Sequence, residues 1–340
     1  MKNIKYCFYL YFAVLALLLG GCESTPVAHS IGGKTMGTSY SIKYFGVEQP
    51  SLHADIKMIL ASLENTLSTY KPDSEVSRFN AGKAFEWFPV SPATAKIVVA
   101  AQEISRLSDG AFDITVGPLV ELWGFGAGEF LAKPPAAELI AERLNYVGYK
   151  LIEVQTNPPA LKKQHVKTAI DLSAIAKGYA IDQLALLLDA KNIDSWLIEV
   201  GGEIRTRGKK PDFTSWKVAI EKPLSESRSM QNIISLNDAA IATSGDYRNF
   251  FEYKNVRYSH TINPTTGWPV PSNIGSVSVV TESAMYADSL ATALLVLGHE
   301  KALKLSNDKG FAISMTIRDD AGELREVISP AFAKYVGWQK

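Results

Sequence analysis

Cysteine is nearly absent from this 340-residue chain, which contains only Cys7 and Cys22. Both lie near the amino terminus, so the body of the chain offers no thiol for a disulfide framework or for thiol catalysis. A net charge is also lacking, because 35 basic and 35 acidic side chains balance one another. Without a positive excess to gather phosphates, the chain is not a strongly basic nucleic-acid-binding protein, and its 46% hydrophobic content excludes a disordered tail.

Several common catalytic motifs are missing as well. The chain has no glycine-rich dinucleotide fingerprint, no Walker-type phosphate loop and no zinc-binding helix motif. Each of those patterns places backbone N–H groups or metal ligands where its chemistry needs them. Rossmann-type hydride transfer and P-loop phosphate chemistry are therefore disfavoured.

The amino-terminal segment has the pattern of a processing signal. Lys2 and Lys5 precede an apolar run, Tyr6 to Leu19, which is too short to cross a bilayer comfortably as a permanent helix. Two glycines and then Cys22 follow, in a pattern that resembles the bacterial lipobox. An ordinary secretory signal or a short membrane anchor is the alternative. We therefore predict a signal peptide at 1–21, a lipidated Cys22, a polar tether at 22–31 and a single body at 32–340.

Hydrophobic periodicity in the body predicts runs of strands separated by a few long helices, which favours an α+β fold over a doubly wound parallel sheet. The predicted helices are Leu52–Leu67 after Ser51, Ser91 to about Gly110, Ala136–Leu144, Ser173 to about Leu188 and Ser283–Leu297. The predicted strands are Thr38–Phe45, Val166–Leu172, Trp196–Val200, Glu203–Arg207, Trp216–Glu221 and Gly275–Thr281, with hairpins at Phe250–Ser259 and Phe311–Ile328.

The predicted helix from Ser283 is mostly apolar, and Asp288 and Thr292 interrupt it four residues apart. That spacing puts both side chains on one face. An unpaired carboxylate on a buried helix is costly, and a bound hard cation would remove the cost. Asp and Thr oxygens suit Mg²⁺. A surface helix whose aspartate is solvated or ion-paired explains the spacing equally well.

The segment from Asp171 to Gly178 is predicted as a strand-to-helix junction. Its free N–H groups and the helix dipole favour an anion such as a phosphate, and Lys177 would add a positive charge one turn into the helix. A capped helix with a solvated lysine is the simpler alternative.

Two polar loops and two aromatic residues are further candidates. His260 lies in a dense polar loop, Ser259 to Gly267, where a histidine could act as a general base. Thr243 to Tyr247 has the composition of a similar turn. Tyr70 and Phe112 could stack on a flat ring. The alternatives are turns with a purely geometric role and aromatic residues of the core.

Taken in order, these segments resemble one family, the ApbE-like FAD:protein FMN transferases. Jointly they are specific, and they cover nearly the whole body of the chain. The matching stretches are Thr35–Thr38, Leu67–Asn80, Ala111–Pro118, Asp171–Ala180, Gly201–Ile204, Ala242–Gly245, His260–Pro264 and Ala287–Ala293.

The resemblance implies both a fold and a reaction. The fold is an α+β body of two subdomains, each of mixed or antiparallel sheet with packed helices, and the flavin nucleotide binds between them. The reaction is a Mg²⁺-dependent transfer of the FMN half of FAD to a threonine or serine hydroxyl of an acceptor protein, with AMP as the leaving group.

The resemblance also implies roles for individual residues. The main-chain oxygen of Ala174 and the side chains of Asp288 and Thr292 would hold the metal, and His260 matches the family histidine proposed to assist proton removal. Many relatives have Asp where this chain has Asn263, which removes one carboxylate from the loop. The residues implied to contact FAD are Met36, Tyr70, Ala111, Phe112, Asp113, Asp171, Lys177 and Ile262.

By the same resemblance, the acceptor would be a flavin subunit of a membrane redox complex, such as a sodium-translocating NADH:quinone reductase or a related complex. The lipid on Cys22 would hold the body on a periplasm-facing membrane surface. The inner membrane is favoured, but Glu23 stands where an Asp would signal inner-membrane retention, so the outer membrane stays open. Two alternative functions also stay open: an FAD pyrophosphatase that gives FMN and AMP, and a non-catalytic flavin-binding lipoprotein.

Overall fold

The computed structural model describes residues 26–128, 133–224, 229–246, 249–271, 273–319 and 321–336. The predicted signal peptide and Cys22 lie outside these residues. Within the described parts of the chain, no helix combines the length and the apolar character needed to cross a bilayer.

Fifteen strands and eight α-helices make up the described fold. The strands are β1 (Ala28–Thr35), β2 (Thr38–Phe45), β3 (Phe88–Pro89), β4 (Ile152–Thr156), β5 (Pro159–Lys163), β6 (Ser195–Val200), β7 (Glu203–Arg207), β8 (Trp216–Glu221), β9 (Met230–Leu236), β10 (Ala240–Gly245), β11 (Phe250–Tyr253), β12 (Val256–Ser259), β13 (Ile274–Thr281), β14 (Ala312–Arg318) and β15 (Leu324–Ile328). The helices are α1 (Leu52–Leu67), α2 (Glu75–Ala81), α3 (Pro92–Leu107), α4 (Gly117–Leu122), α5 (Ala137–Leu144), α6 (Ala176–Ala190), α7 (Ala284–Leu297) and α8 (His299–Lys309).

A central sheet of eight strands organises the molecule. Its order is β1-β2-β6-β7-β10-β13-β14-β15, and each neighbouring pair is antiparallel. Three smaller sheets accompany it: β3-β5-β4 and the two-stranded ribbons β8-β9 and β11-β12. Antiparallel sheets with packed helices are the α+β architecture that the sequence predicts.

The central sheet is covered on both faces by apolar packing. On one face, α1, α3, α6 and α7 pack on alternate strand residues such as Ile42 and Val279 and form the main core. On the other face, Val218 and Ile220 of β8 pack on Ile241 and neighbouring strand residues. Because both faces of the sheet are covered, the central strand β13 is buried along nearly its whole length.

The first strand begins inside the segment that the sequence assigns to the tether. Residues 28–31 are part of β1, which pairs with β2 along its whole length through a two-residue turn at Met36 and Gly37. Both turn residues have positive φ, as a tight hairpin of this kind requires. The strand lies at the edge of the sheet and alternate side chains are exposed, so it has few apolar residues to reveal it.

The predicted strand Val166–Leu172 is wrong. This segment is irregular, and side chains replace the hydrogen bonds that a neighbouring strand would have supplied. The side chain of Asn80 pairs with both the N–H and the C=O of Ile170, at 2.8 and 2.9 Å. The buried ammonium of Lys163 donates to the carbonyls of Val166 and Thr168, at 2.9 and 3.2 Å.

The predicted start of the next helix is also wrong. Helix α6 begins at Ala176, and Ser173 lies in the preceding turn, where its hydroxyl donates to Asp171 Oδ1 instead of capping the helix. The other predicted helices begin and end within a few residues of the observed ones. Ser91 caps α3 and Ser283 caps α7, whereas the side chain of Ser51, which the sequence predicts as the cap of α1, makes no capping hydrogen bond.

Candidate active site

One cleft of about 610 Å³ brings most of the predicted site residues together. It lies where the start of α6, the polar face of α7, the turn between β6 and β7, the β8-β9 ribbon and the loop after β12 meet. The predicted residues on its wall are Tyr70, Ala111, Phe112, Asp113, Asp171, Ala174, Lys177, His260, Ile262, Asp288 and Thr292.

Met36 is the predicted cofactor contact that is not on this wall. It lies in the turn between β1 and β2, where its N–H donates to Glu64 Oε1 at 2.7 Å. The hydroxyl of Thr35 donates to the same oxygen at 2.9 Å. The side chain of Met36 packs against the main core, so the turn is fixed to α1.

Asp288 is held where α6 and α7 cross. Only 3% of the residue is exposed, and its Oδ2 accepts a hydrogen bond from the N–H of Gly178 at 3.0 Å. The absence of a side chain at Gly178 permits this close crossing, because a Cβ there would lie 2.2 Å from the carbonyl oxygen of Ala284. Helix packing therefore sets the position of this carboxylate.

Lys177 is the cation that faces Asp288. Its Nζ lies 3.5 Å from Asp288 Oδ1 and 3.6 Å from Glu203 Oε1, and it donates to the carbonyl of Ser173 at 3.1 Å. Burial lowers the pKa of Lys177, but the two carboxylates outweigh that effect and raise it above the usual value. Lys177 is therefore charged at neutral pH.

Glu203 is a second buried carboxyl in the cleft, and it is not among the site residues predicted from the sequence. Only 5% of the residue is exposed, and its Oε2 has no hydrogen-bond partner among the described residues. Burial, opposed by Lys177 and assisted by Asp288, raises the pKa of Glu203 to about 8. The sequence signal for this residue was its place directly after the Gly201-Gly202 turn.

Thr292 follows Asp288 by one helical turn and faces the same cleft. Its hydroxyl lies 2.9 Å from that of Ser244. The sequence predicted a turn at Thr243–Tyr247, but β10 continues as far as Gly245, so Ser244 reaches α7 from a strand.

The donors in this part of the cleft fit a hard divalent cation. Ala174, Asp288 and Thr292 line one cavity and offer only oxygen ligands, which Mg²⁺ prefers. Asp288 and Glu203 both face Lys177, and because a nearby positive charge favours the ionised form of a carboxyl, a bound cation would lower the raised pKa of Glu203 and be balanced by its negative charge. Within the described residues, His, Cys, Asp and Glu side chains form no cluster of three or more that could hold a metal. The ligands would therefore be of three kinds: a main-chain carbonyl, a carboxylate and a hydroxyl.

Asp171 begins the tight turn that leads into α6. Its Oδ1 accepts hydrogen bonds from the N–H and the hydroxyl of Ser173, at 2.8 and 2.5 Å. Its own N–H donates to the carbonyl of Ile114 at 2.7 Å. The turn is thereby fixed to the segment that follows Asp113.

Asp113 is buried, and both of its carboxylate oxygens are engaged within the protein. Oδ1 accepts from the N–H and hydroxyl of Thr115 at 2.7 and 2.6 Å, and Oδ2 accepts from the N–H of Tyr149 at 2.6 Å. Burial raises the pKa of Asp113, and these bonds only partly offset that effect. This carboxylate fixes the 111–113 segment on the cleft wall.

His260 is oriented by a backbone carbonyl. Its Nδ1 lies 3.0 Å from the oxygen of Asn249, and because a carbonyl oxygen only accepts, Nδ1 must carry the proton. Nε2 then has the free lone pair of a neutral imidazole. Burial lowers the pKa of His260 and Lys177 lowers it further, which favours the neutral ring, although the bond to Asn249 acts in the opposite direction.

Aromatic residues border His260. The ring of Phe125 meets the imidazole edge-on at 6.3 Å, and the hydroxyl of Tyr70 donates to the carbonyl of Phe125 at 3.2 Å. Tyr70 is 62% exposed, so its ring lies at the rim of the cleft.

The loop after His260 contains Ile262, which is buried, and Asn263. The side-chain oxygen of Asn263 accepts hydrogen bonds from the N–H groups of Thr265 and Thr266. An amide serves in this turn as well as a carboxylate would.

The fold and the cleft together define a class of protein. It is an α+β enzyme whose cleft combines oxygen donors for a divalent cation, a charged lysine and a neutral imidazole.

Comparison with known proteins narrows this class to one family. The ApbE family profile matches residues 36–315. The FAD:protein FMN transferase of Vibrio cholerae serotype O1 is 41% identical over 326 residues, which cover 94% of this chain and 96% of that protein. The Haemophilus influenzae protein of the same name is 39% identical over 329 residues, 94% of this chain and 95% of that one.

Solved structures agree. The flavin transferase ApbE from Vibrio cholerae superposes with a TM-score of 0.85 at 38% identity, over 92% of this chain and 100% of that one. The apo form of Pseudomonas stutzeri flavinyl transferase ApbE gives a TM-score of 0.84 at 36% identity, over 93% of this chain and 99% of that one. The chain therefore belongs to the ApbE family, and the fold and family predictions are confirmed.

Proposed function

We propose that this chain is a transferase that moves the FMN half of FAD to a threonine or serine hydroxyl of an acceptor protein and releases AMP. The family match and the relatives named FAD:protein FMN transferase support this function. The structural observation that carries it is that Asp288, Lys177 and His260 line one cleft.

In the transfer step, the acceptor hydroxyl oxygen bonds to the phosphorus of the FMN half. The bond from that phosphorus to the bridging oxygen of the diphosphate breaks, and AMP leaves with that oxygen. The hydroxyl proton moves to Nε2 of His260, whose Nδ1–H is already committed to Asn249. Because the imidazole is neutral, it is ready to accept a proton, a role that typically contributes about 10²–10⁴-fold in rate.

The diphosphate of FAD would lie beside Lys177. Lys177 supplies a fixed positive charge there, and Glu203 and Ser173 hold its ammonium in place. Ala174, Asp288 and Thr292 would hold the metal. When bound, Mg²⁺ would neutralise diphosphate charge and fix the in-line geometry of attack.

The remaining predicted contacts would hold the rest of FAD. Tyr70, at the rim, and Phe112, in the wall, present aromatic rings for stacking on a flat ring system. Ala111, Asp113, Asp171 and Ile262 line the same cavity.

The cellular setting is also a proposal. The lipobox-like sequence before Cys22 supports a lipid anchor, which would hold the enzyme on a periplasm-facing membrane, with the inner membrane favoured. There it would meet the flavin-accepting subunits of membrane redox complexes of the NADH:quinone reductase type.

The test is to measure AMP release from FAD with and without an acceptor subunit. Transfer predicts that AMP release depends on the acceptor, whereas equal rates would favour an FAD pyrophosphatase. Asp288→Ala should abolish release under both conditions. Ser289→Ala is the matched control, because the Ser289 hydroxyl bonds to Met285 O within the same helix. A non-catalytic flavin carrier would release no AMP at all.

A further inference from the structure

Strand β8 is one of the two strands of the β8-β9 ribbon. It pairs with β9 on one side, and within the described ranges no strand pairs with its other side. The side chain of Lys217 does not cover that edge, since its ammonium donates to Ser235 Oγ on β9 at 2.7 Å. A free edge is a ready template for another extended chain.

The strand register shows which backbone groups face this edge. The N–H of Ser235 donates to Tyr335 O at 3.1 Å, so Ser235 points away from β8. Its cross-strand partner is Lys217, and in an antiparallel pair both partners then point outward. Lys217 and Ala219 therefore direct their N–H and C=O groups to the free edge, whereas Val218 directs its groups to Ile234 on β9.

This edge borders the candidate active site. Val218, Ala219, Ile220 and Glu221 all line the cleft that contains His260 and Asp288. Successive side chains of a strand point to opposite faces, so a cleft that meets four consecutive residues runs along the edge of the strand. No residue predicted to contact FAD or the metal lies on this wall.

We propose that the acceptor protein docks on this edge and adds its hydroxyl-bearing segment to β8 as an extra strand. The inference rests on the proposed function, which requires a protein hydroxyl inside this cleft. Main-chain pairing supplies affinity with little demand on sequence. Ile204 and Ile241 form an apolar floor beside β8, which suits an extended segment with small or apolar side chains around the hydroxyl.

Amide exchange measured by NMR tests the docking mode directly. The His260→Ala enzyme with FAD is mixed with the flavin-accepting subunit of a sodium-translocating NADH:quinone reductase, so that the complex persists. We expect at least tenfold slower exchange at the Lys217 and Ala219 amides and no change at Val218, which is already paired. Unchanged exchange at Lys217 and Ala219 would refute the proposal. If amide exchange slows as the enzyme concentration rises in the absence of the acceptor, the edge pairs with a second copy of this chain. That result would also refute the proposal.

A backbone substitution provides an independent test. Ala219→Pro removes one outward N–H without touching the β8-β9 ladder, and edge strands tolerate proline. Its KM for the acceptor should rise at least tenfold, while FAD affinity and the melting temperature stay as in the unmodified enzyme. Ala219→Ser keeps the N–H and should behave like the unmodified enzyme. An unchanged KM in Ala219→Pro contradicts edge pairing, whereas a complete lack of transfer by the unmodified enzyme contradicts the proposed function itself.

Discussion

A neutral, oriented imidazole at position 260 is the central requirement at the scale of single residues. We expect His260→Ala to lower the rate of flavin transfer by about 10²–10⁴-fold, the usual contribution of a general base. Burial lowers the pKa of His260, so the unmodified enzyme should lose activity only below pH about 6.5, the ordinary value for histidine. Rate profiles against pH check this. If the activity of the unmodified enzyme already falls as the pH drops towards about 6.5, the proposed role of His260 is contradicted. Full activity of the His260→Ala variant would contradict it as well.

Asp246 is a buried carboxyl that costs stability at neutral pH. It is fully buried, its oxygens lack hydrogen-bond partners among the described residues, and Arg318 lies 3.9 Å away. Burial raises the pKa of Asp246 to about 6, even though Arg318 and Arg257 act against this. The folded state therefore binds the proton more tightly than the unfolded state, whose carboxyl has a pKa of about 3.9.

The consequence is a pH-dependent loss of stability. The stabilisation from the proton on Asp246 is complete below the unfolded pKa and disappears as pH rises through about 6. Asp246→Asn should therefore raise the free energy of unfolding at pH 8, by up to about 3 kcal/mol, and should have little effect at pH 4. Denaturant titration at both pH values measures this, with the exposed Asp308→Asn as control. A destabilised variant at pH 8 would contradict the account.

Single residues also show where sequence reasoning stops. The chemistry of Asp288, Thr292 and His260 could be anticipated because their types and spacing are visible in the sequence. The role of Asn80 could not, since it bonds to Ile170, 90 residues further along the chain. The role of Lys163 could not either, because a lysine in a strand gives no sign that its ammonium is buried and bonds to the carbonyls of the following segment. The orienting carbonyl of Asn249 is equally invisible, because every residue has one.

At the scale of elements, the crossing of α6 and α7 positions the acidic part of the site. Asp182 of α6 strengthens this crossing, because its carboxylate accepts from the N–H groups of Ala284 and Met285 at the start of α7, at 3.0 and 3.1 Å. The same carboxylate pairs with Arg205 of β7 at 2.6 Å. Two helices and a strand are thus fixed to one another beside the cleft.

Gly178→Ala tests the importance of this crossing. A Cβ at position 178 would lie 2.2 Å from Ala284 O, a backbone atom that cannot move aside alone, so the helices must separate. We expect a loss of about 1–3 kcal/mol in the free energy of unfolding, typical of overpacking. The rise in melting temperature on adding Mg²⁺ should also shrink, because Asp288 loses its partner at Gly178. Leu186→Ala, on the exposed side of α6, is the control; equal stability of the two variants would refute the crossing argument.

Most elements follow from sequence pattern, and the errors have physical causes. Helices α1 and α3 are predictable because their apolar residues recur at the helical period, and α7 because its apolar run is long. Strand β1 was missed because an edge strand that is exposed on alternate residues has few apolar side chains. Strands β4 and β5 were also missed, because these short strands have little periodic signal of their own. Their small sheet is held to α3 by the Gln102 side chain, which donates to Ile152 O at 2.7 Å.

At the scale of the whole molecule, the cleft is assembled from segments that lie far apart in the chain. Residues near 70, 112, 171, 203, 260 and 288 meet because the central sheet brings the β6-β7 turn next to α6, α7 and the loop after β12. Sequence spacing alone relates Asp288 to Thr292, but only the tertiary fold relates either of them to His260. The order of the motifs along the chain is the sequence feature that indicates the family.

The most direct measurement of the central claim is the mass of an acceptor subunit after incubation with this enzyme, FAD and Mg²⁺. The account predicts that the acceptor gains the mass of one FMN residue at a single threonine or serine, in step with AMP release. The gain should vanish with EDTA, with Asp288→Ala, or when the acceptor hydroxyl is removed. An acceptor whose mass stays unchanged under every divalent metal condition, while FAD is bound or hydrolysed, would contradict the account.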